Sequence, residues 1–292
     1  MLFKEEKNYL SIVNEIINTG SDHKDRTGVG TKAVFGKTME FDLTDNKIPI
    51  LSTRKVPVRF MPIELVWFIS GDTDIKYLLD NNVNIWNSWV KPETAVYDND
   101  PKNYIKELEK QGLIKLDSNY KEVFKHMDTA AVNAVVGMLT GKSVPENRLL
   151  SGSIGEGAYG TQWRKWEDIR LVERHEVQDF ISKGYKELTS YTENVERKVS
   201  YRDHDTLEAK DSKVFTDVVE RVVIQKKIDQ LQNVIDQIRD NEHSRRIILS
   251  AWNVGRLDQA QLPPCHSLVQ WNVRRGEDNV KYLTCNLYCR KI

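Results

Sequence analysis

Apolar positions recur along this chain at two spacings, and the spacing predicts where helices and strands lie. Leu10, Ile12, Val13, Ile16 and Ile17 follow helical spacing, with Gly20 placed to stop that helix. The stretch 62–89, PIELVWFISGDTDIKYLLDNNVNIWNSW, reads as a buried helix, a Gly-Asp turn and a second amphipathic helix. IDQLQNVIDQIRDN (228–241) is amphipathic, with Ile228, Leu231, Ile235 and Ile238 on one stripe. A glycine-punctuated loop, DRTGVGT (25–31), precedes a predicted strand pair through KAVFGKTMEFDL. RRIILSAWNV predicts a strand, and two more flank the turn at RRGEDN. In LTCNLYCR the period of two puts Leu283, Cys285, Leu287 and Cys289 on one face, and Asn286, Tyr288 and Arg290 on the other.

Two stretches behave differently. Residues 91–155 comprise a polar linker, a charged segment and an alanine-rich helical segment, MDTAAVNAVVGMLTG. Residues 170–223 are dense in charge, with helical periodicity and few aromatic residues. Both are expected to be solvated helical decoration. Strand segments and long helices segregate along the chain rather than alternate, so the expected class is α+β.

Composition narrows the range of functions. The 292 residues and 39% hydrophobic content suffice for a sizeable core, in one large domain or two modest ones. Lys+Arg and Asp+Glu are both 43, which gives no general electrostatic case for a nucleic-acid or anionic-membrane partner. Three cysteines, an odd and small number, point to a reducing, cytoplasmic compartment. The first residues are charged and helix-periodic rather than a signal peptide, and no apolar run is long enough to span a bilayer.

Three features carry possible chemistry. Cys265 follows Pro263 and Pro264, two positions of fixed φ that aim the next side chain, and precedes His266. By local pattern it is either a nucleophile on a stiff shelf or a buried structural sulfur. His266, its immediate neighbour, points to the other face of a strand and is a poor base for it. Arg26, the pair Arg245-Arg246 and Arg290 all stand at element ends. They are either ordinary surface arginines or a clamp for a phosphomonoester, whose oxygens suit the guanidinium fork. Glu64 interrupts an apolar run as either an exposed helix residue or a desolvated acid suited to proton transfer. Cys285 and Cys289 lack the further ligands that a zinc site needs, so no metal is expected.

These segments in this order resemble the thymidylate synthase family. The resemblance rests on DRTGVGT, ELVWFISGDTDIKYLLDNNVNIWNSW, YGTQWRKW, IDQL, SRRIILSAWNVGRLDQAQLPPCH and LYCR, and covers residues 1–90, 156–169 and 224–290. Residues 91–155 and 170–223 then look like insertions in a single catalytic domain, a thymidylate synthase-like mixed sheet packed with long helices. The resemblance implies reductive methylation of dUMP to dTMP, with 5,10-methylenetetrahydrofolate as co-substrate. It implies that Cys265 adds to C6 of the pyrimidine and makes C5 nucleophilic. Arg26, Arg245, Arg246 and Arg290 bind the nucleotide phosphate, the paired arginines reaching in from the other subunit of a homodimer. Glu64 and Tyr159 belong to the proton-transfer network, and His266 has a hydrogen-bonding role. Trp86 lines the folate pocket with Trp89 in support, Arg54 stands where a lysine helps to hold the folate tail, and Asn253 has no assigned role.

The family pattern continues beyond LYCR with base-reading, ribose-binding and tail segments, whereas this sequence stops at Lys291-Ile292. The expectation is a truncated product, or the first part of a split or intron-interrupted gene, incomplete at its C-terminus. Such a chain would leave apolar surface uncovered and turn over little or no dUMP alone. Two alternatives stay open: a dUMP/dCMP hydroxymethylase using the same cysteine and folate, or an inactive fragment that retains at most nucleotide binding.

Overall fold

The computed structural model describes residues 4–24, 28–116, 118–141, 143–144, 147–199, 213–277 and 279–290. The chain divides into two compact units, Met1–Pro62 and Ile63–Ile292. In the first, α1 (Lys4–Thr19) stops at the expected glycine: the Gly20 amide donates to the Ile16 carbonyl at 2.9 Å, and a Cβ at Gly20 would sit 2.4 Å from that oxygen. β1 (Ser21–His23) and β2 (Thr31–Ala33) form an antiparallel hairpin around the glycine loop. The strand pair expected over KAVFGKTMEFDL shrinks to β2. Gly36 takes a positive φ of 75°, which a continuing strand does not tolerate, and residues 34–43 have no regular structure.

α2 (Phe60–Ser70) spans the boundary between the units and buries Trp67 and Phe68. The amphipathic helix expected after the Gly-Asp turn reduces to α3 (Lys76–Asp80), because Asn82 turns left-handed at φ 57°. A short 3-10 turn, Asn87–Trp89, follows.

β3 (Val96–Asp98), α4 (Pro101–Lys110), α5 (Ser118–His126), α6 (Thr129–Thr140) and β4 (Arg148–Ser151) fall within residues 91–155, the stretch expected to be the first insertion. The helices are as expected, but they are more than decoration. Ile105, Leu108, Ile114, Val132 and Val136 close into a hydrophobic cluster of their own. Asp100 and Asp128 cap α4 and α6 by accepting from the Lys102 and Ala131 amides. β3 pairs with β4, and Asp98 joins them, accepting from the Asp100 amide at 2.9 Å and from Arg148 Nη2 at 2.6 Å. The amide first, then the guanidinium, hold the Asp98 carboxyl below its ordinary value. A depressed folded pKa contributes stability that is complete above the unfolded value of about 3.9 and is lost as pH falls through the folded one. Melting temperatures followed from pH 6 downward should therefore fall below about pH 4. Asp98→Asn should lessen that fall; an undiminished fall in the variant would refute the assignment.

Residues 170–223 overturn their sequence expectation. Apart from a 3-10 turn and one short helix, the described residues of this stretch form strands rather than helices, within a sheet that starts after α7 (Tyr159–Arg164). β5 (Trp166–Glu173), β6 (Lys186–Val199) and β7 (Lys213–Ile228) pair antiparallel in the order β5-β7-β6, and α8 (Val177–Ser182) lies between β5 and β6 in sequence. The charges there are spaced for cross-strand partners. Arg174 bridges Glu187 and Glu220, and Arg221 bridges Glu173 and Glu193. β-branched residues of β7 do the rest: Val222 and Ile224 are fully buried against Val172, Val177 and Tyr185.

The last elements are α9 (Gln230–Asp240), β8 (Ile248–Ser250), β9 (His266–Arg275) and β10 (Lys281–Cys289). The strands pair antiparallel in the order β10-β9-β8, around the turn expected at RRGEDN. Val234, with Leu231 and Ile238, forms the buried stripe of α9 against Ile247, Leu249 and Val269. Ile235, placed on that stripe by the sequence, is exposed, and Ile228 ends β7. The α+β class holds, with every described strand pair antiparallel and distributed over four small sheets.

Candidate active site

Cys265 sits at the entrance to β9, half-buried, directly after the fully buried Pro264. Two neighbours fix its main chain. From the β10 side, the Arg290 amide donates to the Cys265 carbonyl at 3.0 Å, just past a register shift that pairs Cys289 with His266. From the α7 side, the Tyr159 hydroxyl accepts from the Cys265 amide at 2.5 Å and from the His266 amide at 3.2 Å. The two prolines set φ and the two hydrogen-bonding neighbours set position, so the thiol stands on a rigid turn.

Arg290 is brought against the same turn. Its Nε donates to the Pro264 carbonyl at 3.1 Å, its Nη2 to the Pro263 carbonyl at 2.9 Å, and its guanidinium carbon lies 5.6 Å from the Trp252 ring centroid. A guanidinium carries five N–H donors, and two of them point into the turn.

Tyr159 is held there by close backbone packing. A Cβ on Gly155 or Gly157 would meet the Gln259 or Arg256 carbonyl oxygen at 1.8 or 2.2 Å, so the approach to α7 requires glycine at both positions. The tyrosine is 4% exposed, and burial pushes its phenol above the ordinary value, against the two amides it accepts from. Its ring lies 4.6 Å from Phe68, 6.0 Å from Trp163, 6.5 Å from Trp86 and 5.8 Å from His266, centroid to centroid. Trp86, also buried, donates its indole N–H to Glu64 Oε1 at 2.6 Å. Glu64 is therefore neither free in solvent nor alone in an apolar wall: it is half-buried and held at the edge of an aromatic cluster. Trp89 is half-buried in the 3-10 turn that follows Trp86.

The structure thus gathers Cys265, His266, Tyr159, Arg290, Trp86 and Glu64 through consecutive contacts. Arg245 and Arg246 are exposed just before β8, with the Arg246 amide on Ser244 Oγ. Arg54 is exposed in the N-terminal unit, and Arg26 lies outside the described residues.

Sequence reasoning missed an amide relay behind the site. Gln162, 1% exposed, donates from Nε2 to the Glu156 carbonyl at 2.7 Å and accepts from Asn253 Nδ2 at 2.9 Å. Gln230 then ties the Gln162 and Ser250 carbonyls together. Gln162 and Asn253 belong to the YGTQWR and AWN segments, whose family match was the signal available. Nothing local in the sequence marked Trp252 as the partner of Arg290.

A family model described as thymidylate synthase matches residues 7–292. The thymidylate synthase of Listeria monocytogenes serotype 4b (strain F2365) is 32% identical over 288 residues, covering 97% of this chain and 68% of that protein. That of Listeria innocua serovar 6a is 31% identical over 287 residues, with coverages of 97% and 68%. That of Brachyspira hyodysenteriae is 29% identical over 267 residues, covering 91% of this chain and 58% of its own length. With a match over almost its whole length and a nucleophilic-type cysteine on a turn held by arginine and tyrosine, the chain belongs to the thymidylate synthase family.

Proposed function

We propose that this chain converts dUMP to dTMP by reductive methylation, with Cys265 forming a covalent bond to C6 of the pyrimidine. The observation that carries this reading is the turn itself: the loop that carries Cys265 also holds the Arg290 guanidinium, through the Pro263 and Pro264 carbonyls. Phosphate bound at Arg290 places the base near Cys265. Addition at C6 forms the S–C6 bond, moves the C5–C6 electron pair to C5 and splits a difficult substitution into easier steps. Glu64 and Tyr159 handle protons around the base, and His266 holds the turn's outer face.

Trp86, Phe68 and Trp163 pack around Tyr159 as an aromatic cluster, the chemistry that suits the edge of a flat, partly apolar ring system. When bound there, 5,10-methylenetetrahydrofolate supplies the one-carbon unit and the hydride. The family resemblance is what assigns Trp89 and Arg54 to the folate. Arg26, Arg245 and Arg246 complete the phosphate side, the exposed pair acting on the second subunit of a homodimer. Three free thiols support a reducing, cytoplasmic setting. Among the described residues no helix is long and apolar enough to cross a membrane.

The test is to incubate the purified chain with 5-fluoro-dUMP and 5,10-methylenetetrahydrofolate and map adducts by mass spectrometry. A ternary adduct on the peptide containing Cys265 is expected. Its absence, or an adduct on Cys285 or Cys289 instead, would contradict the assignment.

A further inference from the structure

A cavity lined by none of the residues assigned above lies between the α3 region and the elements of residues 96–151. Its volume is about 870 Å³, within the range of small-molecule sites. Its wall is unusual in composition. Asn82, Asn84, Asn87, Gln111 and Asn147 contribute five carboxamides, each able both to donate and to accept. Leucines including Leu108 and Leu149 provide apolar surface between them.

Both cations on this wall are already paired: Lys76 with Asp80 at 3.0 Å, and Arg148 with Asp98 at 2.6 Å while lying over the Tyr104 ring at 5.5 Å. The remaining carboxylate, Glu107, accepts from Gln111 Nε2 at 2.9 Å and disfavours an anion, so the favoured ligand carries no negative charge.

Hydrogen bonding is unfinished at the same place. Among the described residues, three buried side-chain polar atoms lack a partner, and two of them, Asn87 Oδ1 and Arg148 Nε, belong to residues of this wall. Buried polar groups are almost always paired, because each unpaired one costs about 1–3 kcal/mol. One orphan is an acceptor and the other a donor, both buried within the wall rather than open to the cavity. Carboxamides beside apolar patches suit a heterocycle with donors and acceptors on its edge and a hydroxylated sugar attached. Tyr97, exposed on the insertion side, adds an aromatic face for such a ring.

We propose that this cavity is a binding site for a nucleoside, separate from the Cys265 site. The inference does not depend on the reaction assigned to Cys265. The probes are thymidine and adenosine, titrated calorimetrically into the full chain with and without saturating dUMP. The expected result is one saturable site for at least one probe, unaffected by dUMP. Asn147→Ala and Tyr97→Ala, both at exposed positions, should each weaken it about five- to tenfold, the worth of one polar or stacking contact. No saturation by either nucleoside up to about 10 mM would overturn the proposal. So would displacement by dUMP, undiminished binding in both variants, or saturation by maltose with neither nucleoside binding.

Discussion

Replacing Cys265 with serine should remove dTMP formation almost entirely, a fall of at least about 10³-fold in kcat, or roughly 4 kcal/mol of transition-state stabilisation. The substitution is close to isosteric, so the turn fixed by Pro263, Pro264, Tyr159 and Arg290 should survive it. What changes is the nucleophile: a hydroxyl stays protonated near neutral pH and is far less reactive than a thiolate. Because Arg290 is held by the Pro263 and Pro264 carbonyls rather than by the sulfur, the dissociation constant of dUMP should move little. Separate measurement of kcat and of equilibrium dUMP binding checks the split. A serine variant retaining a tenth of the activity would refute covalent catalysis at this position. Equal losses in binding and turnover would instead mean that the turn had collapsed.

The parts of this fold that were legible in the sequence are those where local pattern and tertiary packing agree. Gly20 ends α1 because only glycine clears the Ile16 carbonyl, a local matter visible in the sequence. β9 and β10 were readable because alternation and turn chemistry pointed the same way. The ribbon of β6 and β7 was not. Its apolar residues are interrupted by charges, and a sequence alone does not reveal whether Arg174 serves a residue one helical turn away or reaches Glu187 and Glu220 across a sheet. Thr, Val and Tyr in ELTSYTENV and VFTDVVERVVI were the available counter-signal, and charge density outweighed it. α9 shows a smaller failure of the same kind, with Val234 rather than Ile235 facing the core.

The site divides in the same way. Cys265, viewed locally, was as compatible with a buried sulfur as with a nucleophile. Its main chain is held by Tyr159, 106 residues earlier, and by Arg290, which reaches it through strand pairing. Such long-range convergence leaves no local trace, and only the ordered family segments brought those residues together. The structure adds what those segments did not contain: the tyrosine hydroxyl and the arginine hold the main chain of the turn, so they position the residue they flank.

That positioning role yields the second large expected effect, for Tyr159→Phe. The ring keeps its contacts with Phe68, Trp163 and Trp86, so no cavity opens. The Cys265 and His266 amides lose the oxygen that accepts from both. An unpaired donor costs about 1–3 kcal/mol when fully buried. These two are partly buried, so a total loss of about 1–3 kcal/mol of stability is expected, seen as a lower denaturant midpoint with an unchanged slope. Turnover should fall further than stability alone requires, by about 10- to 100-fold, because a small displacement of the sulfur from its line of attack is costly. Amide hydrogen exchange separates this from a general loosening: Cys265 and His266 should exchange faster, while Val234, Leu249 and Val269 in the neighbouring core stay protected. If instead the whole β8–β9–β10 sheet loses protection together, the hydroxyl is a structural bond of the sheet and not a local brace for the nucleophile.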